Sequence, residues 1–479
     1  MNWKLIARIT GISLLVEAGA LLLPLAATLY YREDPVPFLL TICLLLAAGL
    51  GPALLLRPQR HFFAREGFFT VGLIWVLMSA FGALPFYFCG QFGSYVDCFF
   101  ECVSGFTTTG SSILTAVEGL PYGQLFWRSF THWLGGMGVL VFTTAILSSL
   151  GISSNFLIRA ESPGPVKSKL VPRASMSSKI LYAIYLALTV IQVILLRLTG
   201  MPWFDSLVNT FGTAGTGGFS VKNTSIGAYG NPAAEIVMTV FMLLFSVNFA
   251  MYFLLLCGKL KQVLRSDELR FFLGVVAFSI VAITINIAPT FARLGDAVRA
   301  AAFQVASVIS TSGFSSVDFD LWPEFSRMLL VVLMLIGACA GSTGGGIKCS
   351  RVLLLLRSAR REVGSLIHPR SVSVVRLDGE PVSERTLHAT HCYFVIYLFT
   401  IFVSALIVGL DDFSFGSTLT AVITCISNVG PGLEAVGPMG NFAGFSALSK
   451  LTLSFCMIAG RLEMFPIFVL LSRKVWKRS

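Results

Sequence analysis

The stretch Ser104-Gly105-Phe106-Thr107-Thr108-Thr109-Gly110 is one of four related segments, and its repetition decides the fold. The others are Phe211-Gly212-Thr213-Ala214-Gly215-Thr216-Gly217-Gly218-Phe219-Ser220, Ser310-Thr311-Ser312-Gly313-Phe314-Ser315 and Cys425-Ile426-Ser427-Asn428-Val429-Gly430-Pro431-Gly432. Aligned on one glycine each, Gly110, Gly218, Gly313 and Gly430 stand 108, 95 and 117 residues apart, a spacing that asks for one repeated unit. One Ser/Thr/Gly cluster alone reads equally well as a helix-packing seam or a turn. Four copies in register with a common topology do not.

That topology comes from the sequence around them. Of 479 residues 55% are hydrophobic and only 12% charged, too few charges to cover a soluble protein of this size. Apolar runs such as Ile9 to Tyr30, Phe38 to Leu56, Phe69 to Phe88 and Ile236 to Cys257 are each long enough to cross a hydrocarbon core of about 30 Å as a helix. The first run follows Lys4 and Arg8 as a signal peptide would, but its length and the run directly after it favour a retained helix. The net charge of +11 is spread over inter-helix segments, which excludes a nucleic-acid groove. The ten cysteines form no Cys-x-x-Cys pair and read as small buried hydrophobes, as Cys43, Cys257 and Cys456 do within apolar runs.

Basic segments at Arg57, Arg60 and Arg65, at Arg159 to Lys179, at Lys259 to Arg265, at Lys348 to Arg361 and at Arg473 to Arg478 fall on one side only if each of the four segments dips into the membrane and returns. Ten crossings and four dips then leave both termini cytoplasmic. The expected architecture is an all-α polytopic membrane protein. Two N-terminal helices (1–65) precede four helix, pore-loop, helix repeats (66–177, 178–265, 266–384 and 385–479) around a central pore. Within the third repeat, Arg357 to Glu384 is expected to be a solvated cytoplasmic connector, with Pro369 breaking a helix and Asp378-Gly379-Glu380-Pro381 making a turn.

Irregular backbone at membrane depth is tolerated only where protein or water satisfies it. Four loops meeting on an axis meet that condition, and their carbonyls can replace an ion's hydration shell. A short helix before each loop would turn its negative C-terminal end toward the cavity and favour a cation. Acids near the loops, Asp97, Glu101, Asp318, Asp320, Asp411 and Asp412, are candidates for drawing cations to an outer mouth.

Two further features lie inside apolar runs. Gly337-Ala338-Cys339-Ala340-Gly341-Ser342-Thr343-Gly344-Gly345-Gly346-Ile347-Lys348 disfavours a continuous helix at roughly 1 kcal/mol per glycine and reads as a flexible break below the third loop. Arg461, in Gly460-Arg461-Leu462-Glu463-Met464, is a charge that must face protein or water; a pair with Glu463 is its structural reading and a barrier in the cation path its functional one. The glycine-rich segment lacks the Gly-Lys-Ser/Thr of a phosphate-binding loop, so ATP hydrolysis is not expected of this chain. No nucleophile, base and orienting group recur together as an enzyme would need. A solute symporter with inverted repeats remains an alternative, as does sodium or mixed-cation conduction by the same architecture.

These motifs together, in this order, resemble the TrkH/TrkG and KtrB family of potassium-uptake proteins, most closely the TrkH type, over essentially the whole chain. The resemblance implies potassium selection by backbone carbonyls of Thr108 and Thr109, Thr216 and Gly217, Thr311 and Ser312, and Asn428 and Val429, with Gly110, Gly218, Gly313 and Gly430 as filter glycines. It implies a gate formed by Gly341, Gly344, Gly345 and Gly346 with Arg461. It further implies a homodimer in the lipid of the inner membrane, and a cytoplasmic TrkA-like regulatory subunit that carries the nucleotide. The chain itself is expected to hold no cofactor and to carry K+ as its transported ion.

Overall fold

A computed structural model of the chain describes residues 2–55, 64–136, 138, 174–369 and 373–471. Two antiparallel helices open it, Trp3–Ala20 continued by Leu22–Tyr30, and Val36–Leu55. They cross at Gly11 and Gly49, where a side chain on either would lie within 2.9 Å of the other's carbonyl oxygen. Close backbone approach through small residues is how helices associate without a hydrophobic drive between them. In the turn between them Glu33 accepts the amides of Tyr122 (2.6 Å) and Gly123 (3.0 Å), and so caps the first returning helix of the pore.

Four units follow, each with an outer helix, a short buried helix and an inner helix. The outer helices are Ala64–Gly82 with Leu84–Cys89, Ala174–Leu198, Asp267–Ile287 and Glu384–Val408. Along their middle turns the exposed residues are apolar, among them Leu186, Ile194, Phe278, Ile285, Phe399 and Leu406, as a lipid-facing surface requires. The short helices, Tyr95–Phe106, Trp203–Gly215, Leu294–Ile309 and Phe415–Ser427, run 12 to 16 residues. At about 1.5 Å per residue they are too short to cross. Their buried faces carry polar groups such as Ser206, Asn209, Thr210 and Thr213, the reverse of a soluble core.

The third inner helix breaks at the glycine-rich segment as expected, whereas the second and fourth depart from the sequence expectation. Tyr122–Gly136, Pro232–Ser246, Glu324–Ile336 and Ala447–Arg461 each end after 13 to 15 residues. The second turns by 92° into Phe249–Leu256, so Ile236 to Cys257 is not one straight span. The third resumes as Cys349–Ile367 after the glycine-rich segment, and the fourth as Phe465–Leu471. Among the described residues six helices are long and apolar enough to cross a membrane, or seven with the bent pair, against ten expected crossings. The second, third and fourth returning helices are each broken into shorter pieces. The first repeat's return beyond Gly138, and the basic residues Arg57, Arg60, Arg159, Lys167, Lys169, Arg173, Arg473, Lys474, Lys477 and Arg478, lie outside the described residues.

The connector is packed rather than loose. Its first part stays helical to Ile367, and Asp378 and Gly379, both with positive φ, turn a two-stranded hairpin of Arg376–Leu377 and Glu380–Pro381. Val375 and Leu377 bury against Leu354 and Leu387, which a solvated loop would not do. Cys43, Cys257 and Cys392 are exposed on the surface, whereas Cys456 is buried as expected.

Candidate functional site

All four short helices end in the same way. The amide two residues before each aligned glycine donates three residues back: Thr108 to Gly105, Thr216 to Thr213, Thr311 to Val308 and Asn428 to Cys425, at 3.0–3.3 Å. The next amide donates five back: Thr109 to Ser104, Gly217 to Gly212, Ser312 to Ser307 and Val429 to Thr424, at 2.7–2.9 Å. This is the Schellman termination, which requires a left-handed residue at its turn. Thr108, Thr216, Thr311 and Asn428 supply it with φ of 56°, 57°, 60° and 56°, and the glycines two residues on have φ of 86°, 82°, 75° and 101°. Alternate left-handed residues point successive carbonyls the same way, and the negative helix ends lie behind them.

The four strands close into a ring. A Cβ on Gly430 would come 2.7 Å from the carbonyl oxygen of Thr109, and one on Gly110, Gly218 or Gly313 would come closer still to those of Gly217, Ser312 and Val429 respectively. Each glycine therefore abuts the carbonyl that precedes the glycine of the next repeat, in the order one, two, three, four, one. No other residue fits at any of the four positions without moving its neighbour. Asn428 ties the closing strands together, its Nδ2 donating to Thr109 Oγ1 (3.0 Å) and to Met457 O (2.9 Å).

The glycine-rich segment lies directly against this ring. The Gly345 amide donates to Thr311 Oγ1 at 2.7 Å, and the Lys348 ammonium bonds to Gly344 O. Further bonds hold the segment on every side: Cys339 N to Ser246 O (3.1 Å), Thr343 Oγ1 to Phe245 O (3.1 Å), Phe249 N to Gly341 O (3.0 Å) and Ala340 N to Glu268 Oε1 (2.7 Å). The expectation of a flexible break gives way to a segment tied to the bent second inner helix and to the third outer helix.

Arg461 bridges this segment to the first repeat. Its Nη1 donates to Thr343 O (2.6 Å) and its Nη2 to Gly135 O and Gly136 O (2.5 and 2.7 Å). Glu463 pairs with Arg351, which also stacks 4.2 Å over the Tyr393 ring. An Arg461–Glu463 pair is thereby replaced, because the helix ends at Arg461 and Glu463 takes positive φ on the far side of the break.

The acids divide. Glu101 is fully buried; it pairs with Arg128 at 2.6 Å and accepts from Ser112 Oγ and Ile113 N, both at 2.9 Å, so it holds the strand after Gly110 and draws nothing to a mouth. Asp97 pairs with Lys450, Asp320 with Arg327, and Asp411 accepts the Ser446 amide. Asp412 is exposed. The sequence reading passed over His132, Arg128, Asn248 and the Arg351–Glu463 pair. The rule that flagged Arg461, a charge within an apolar span, flags Arg128 equally.

A sequence profile of the TrkH family, described as cation transport protein, matches residues 36–478. The chain belongs to the TrkH family. This TrkH-family chain is 37% identical over 492 residues to the Trk system potassium uptake protein TrkH of Salmonella typhimurium, the alignment covering 100% of each. It is 31% identical to the Trk system potassium uptake protein TrkG of Escherichia coli, over 99% of each. Its fold superposes on the crystal structure of the potassium transporter TrkH from Vibrio parahaemolyticus with a TM-score of 0.89, at 32% identity and full coverage of both chains. The TrkH-family fold is thus a multi-span helical membrane transporter, not an enzyme.

Proposed function

We propose that the chain is the potassium-translocating subunit of a Trk-type uptake system. The reading is carried by the ring closure of Gly110, Gly218, Gly313 and Gly430 onto neighbouring carbonyls. A closed ring of backbone oxygens with neutral side chains suits a dehydrated monovalent cation, and the names of the relatives make that cation potassium. The coordinating carbonyls are those of Thr108, Thr109, Thr216, Gly217, Thr311, Ser312, Asn428 and Val429. Gly341, Gly344, Gly345, Gly346 and Arg461 form the barrier beneath them, and opening moves the glycine-rich segment off Thr311. The repeats take the boundaries 66–177, 178–265, 266–384 and 385–479, after the N-terminal pair in 1–65. The resemblance supplies the rest: an inner-membrane homodimer with cytoplasmic termini, controlled by a nucleotide-binding TrkA-like subunit.

Flux in reconstituted vesicles, with potassium, rubidium, sodium and lithium compared for the native chain and Gly110→Ser, tests this. Potassium and rubidium should pass in preference to sodium, and the substitution should erode the preference. Equal permeation of all four ions by the native chain overturns the selectivity, and solute-dependent transport indifferent to Gly110→Ser overturns the pore.

A further inference from the structure

At the position before the filter glycine, strands one, three and four carry Thr109, Ser312 and Val429, while strand two carries Gly217. In strands one and three that side chain ties the loop back to its own helix: Thr109 Oγ1 lies 2.8 Å from Thr107 Oγ1, and Ser310 Oγ donates to Ser312 Oγ at 2.8 Å. Gly217 has nothing to offer. The space where its side chain would stand is occupied by the imidazole of His132, from the inner helix of the first repeat; a Cβ on Gly217 would overlap the ring.

His132 is fully buried and both ring nitrogens are engaged. Nδ1 lies 2.8 Å from Gly105 O at the end of the first pore helix, and the Phe219 amide donates to Nε2 at 3.3 Å. One neutral tautomer, protonated at Nδ1, satisfies both bonds. The ring also packs 4.2 Å from that of Phe219. One helical turn earlier, Arg128 places its guanidinium 3.5 Å over the Phe219 ring and donates to Ser220 O at 3.1 Å. Beyond the backbone bonds that end its own pore helix, the second strand therefore takes side-chain support from the first repeat.

We propose that His132 is a positioning residue for cation selection, standing in for the side chain that Gly217 lacks. By tying Phe219 N, two residues after Gly217, to Gly105 O at the end of the first pore helix, and by packing its ring against Gly217, it fixes strand two in the ring and with it the Gly217 carbonyl that abuts Gly110. The inference rests on the pore reading above. It gives strand two a reason to carry glycine where the other strands do not.

The test is the potassium-to-sodium permeability ratio of purified full-length protein in vesicles, with monodispersity and melting temperature measured on the same samples. In His132→Ala the ratio should fall by roughly tenfold, since a coordinating shell tolerates displacements of only about 0.5 Å. His132→Gln, which can donate and accept at similar reach, should keep more selectivity than His132→Phe, which fills the space without a polar atom. Gly217→Val alone should collide with the imidazole and lose selectivity, and the double variant His132→Ala/Gly217→Val should recover part of it, because Val429 already serves at that position. A folded His132→Ala with an unchanged ratio overturns the inference. So does a double variant no more selective than either single one, or equal ratios for the Gln and Phe variants should the alanine variant not fold. Gly110→Ser is run alongside: if it erodes selectivity while the His132 variants do not, the pore reading stands and this inference alone falls.

Discussion

At Thr108, Thr216 and Thr311 a β-branched residue occupies left-handed backbone, a conformation that costs on the order of 1–3 kcal/mol and persists only where the surroundings enforce it. The hydroxyl of Thr311 has a use that glycine could not serve, as acceptor for Gly345 N. Thr311→Val leaves that buried amide unsatisfied, at about 1–3 kcal/mol. The expected outcome is faster thiol labelling of a cysteine introduced at Ser342, as the segment spends more time displaced; an unchanged labelling rate would remove Thr311 from the latch. Among the glycines, Gly430 has the most room, so Gly430→Ala should retain more selectivity than alanine at Gly110, Gly218 or Gly313, read as permeability ratios. On the outer side Glu434 has its carboxyl held below the usual range, chiefly by the Ser414 hydroxyl and then by Ser417. A depressed folded-state pKa stabilises the fold above the ordinary glutamate value, and that contribution disappears as pH falls through the depressed one. Melting temperatures should therefore decline on acidification below about pH 4.5, and Glu434→Gln should flatten that part of the profile.

The short pore helices and the outer helices are legible in the sequence, because Ser/Thr/Gly clusters and apolar runs mark them directly. The breaks of the second and fourth inner helices are not. Asn248 sits in an otherwise apolar stretch, and only its tertiary setting makes it a bend: its Oδ1 caps Phe249–Leu256 through Ala250 N at 2.9 Å, and Gly341 packs against its side chain. Asn248→Ala should cost about 1 kcal/mol as a lost cap and raise flux in the absence of a regulatory subunit, with the ion preference unchanged. The partners of Arg461 and Glu463 are hidden for a related reason. Residues two apart do not face each other on a helix, so Glu463 was free to reach another repeat once the helix broke. Arg351→Gln leaves the partly buried Glu463 without its partner and should destabilise by up to about 3 kcal/mol, whereas changing both to methionine should cost far less; thermal melts of the single and double variants decide it.

Across the whole molecule, each repeat supplies one strand to the ring, but the supports are not equivalent. Strand two is held by His132 and Arg128 of the first repeat, strand three carries the bond to the glycine-rich segment, and strand four is cross-linked to strand one by Asn428. The sequence showed the fourfold unit through its glycines; it hid the asymmetry, because side chains that differ between repeats look like noise until their partners are known. Loss of one support should then alter one property: selectivity for strand two, gating for strand three.

The closing contact, Gly430 against Thr109, joins the last strand made to the first. A ribosome feeding this chain into the bilayer exposes three quarters of the ring long before the final quarter exists, so no complete cation path can form during synthesis. The segment that follows the last strand then delivers Arg461, which lodges against Gly135, Gly136 and Thr343 beneath the finished ring. The order of the repeats along the chain thus seats Arg461 almost as soon as the ring is closed, and under the proposed role of Arg461 as a barrier half-made protein would not leak.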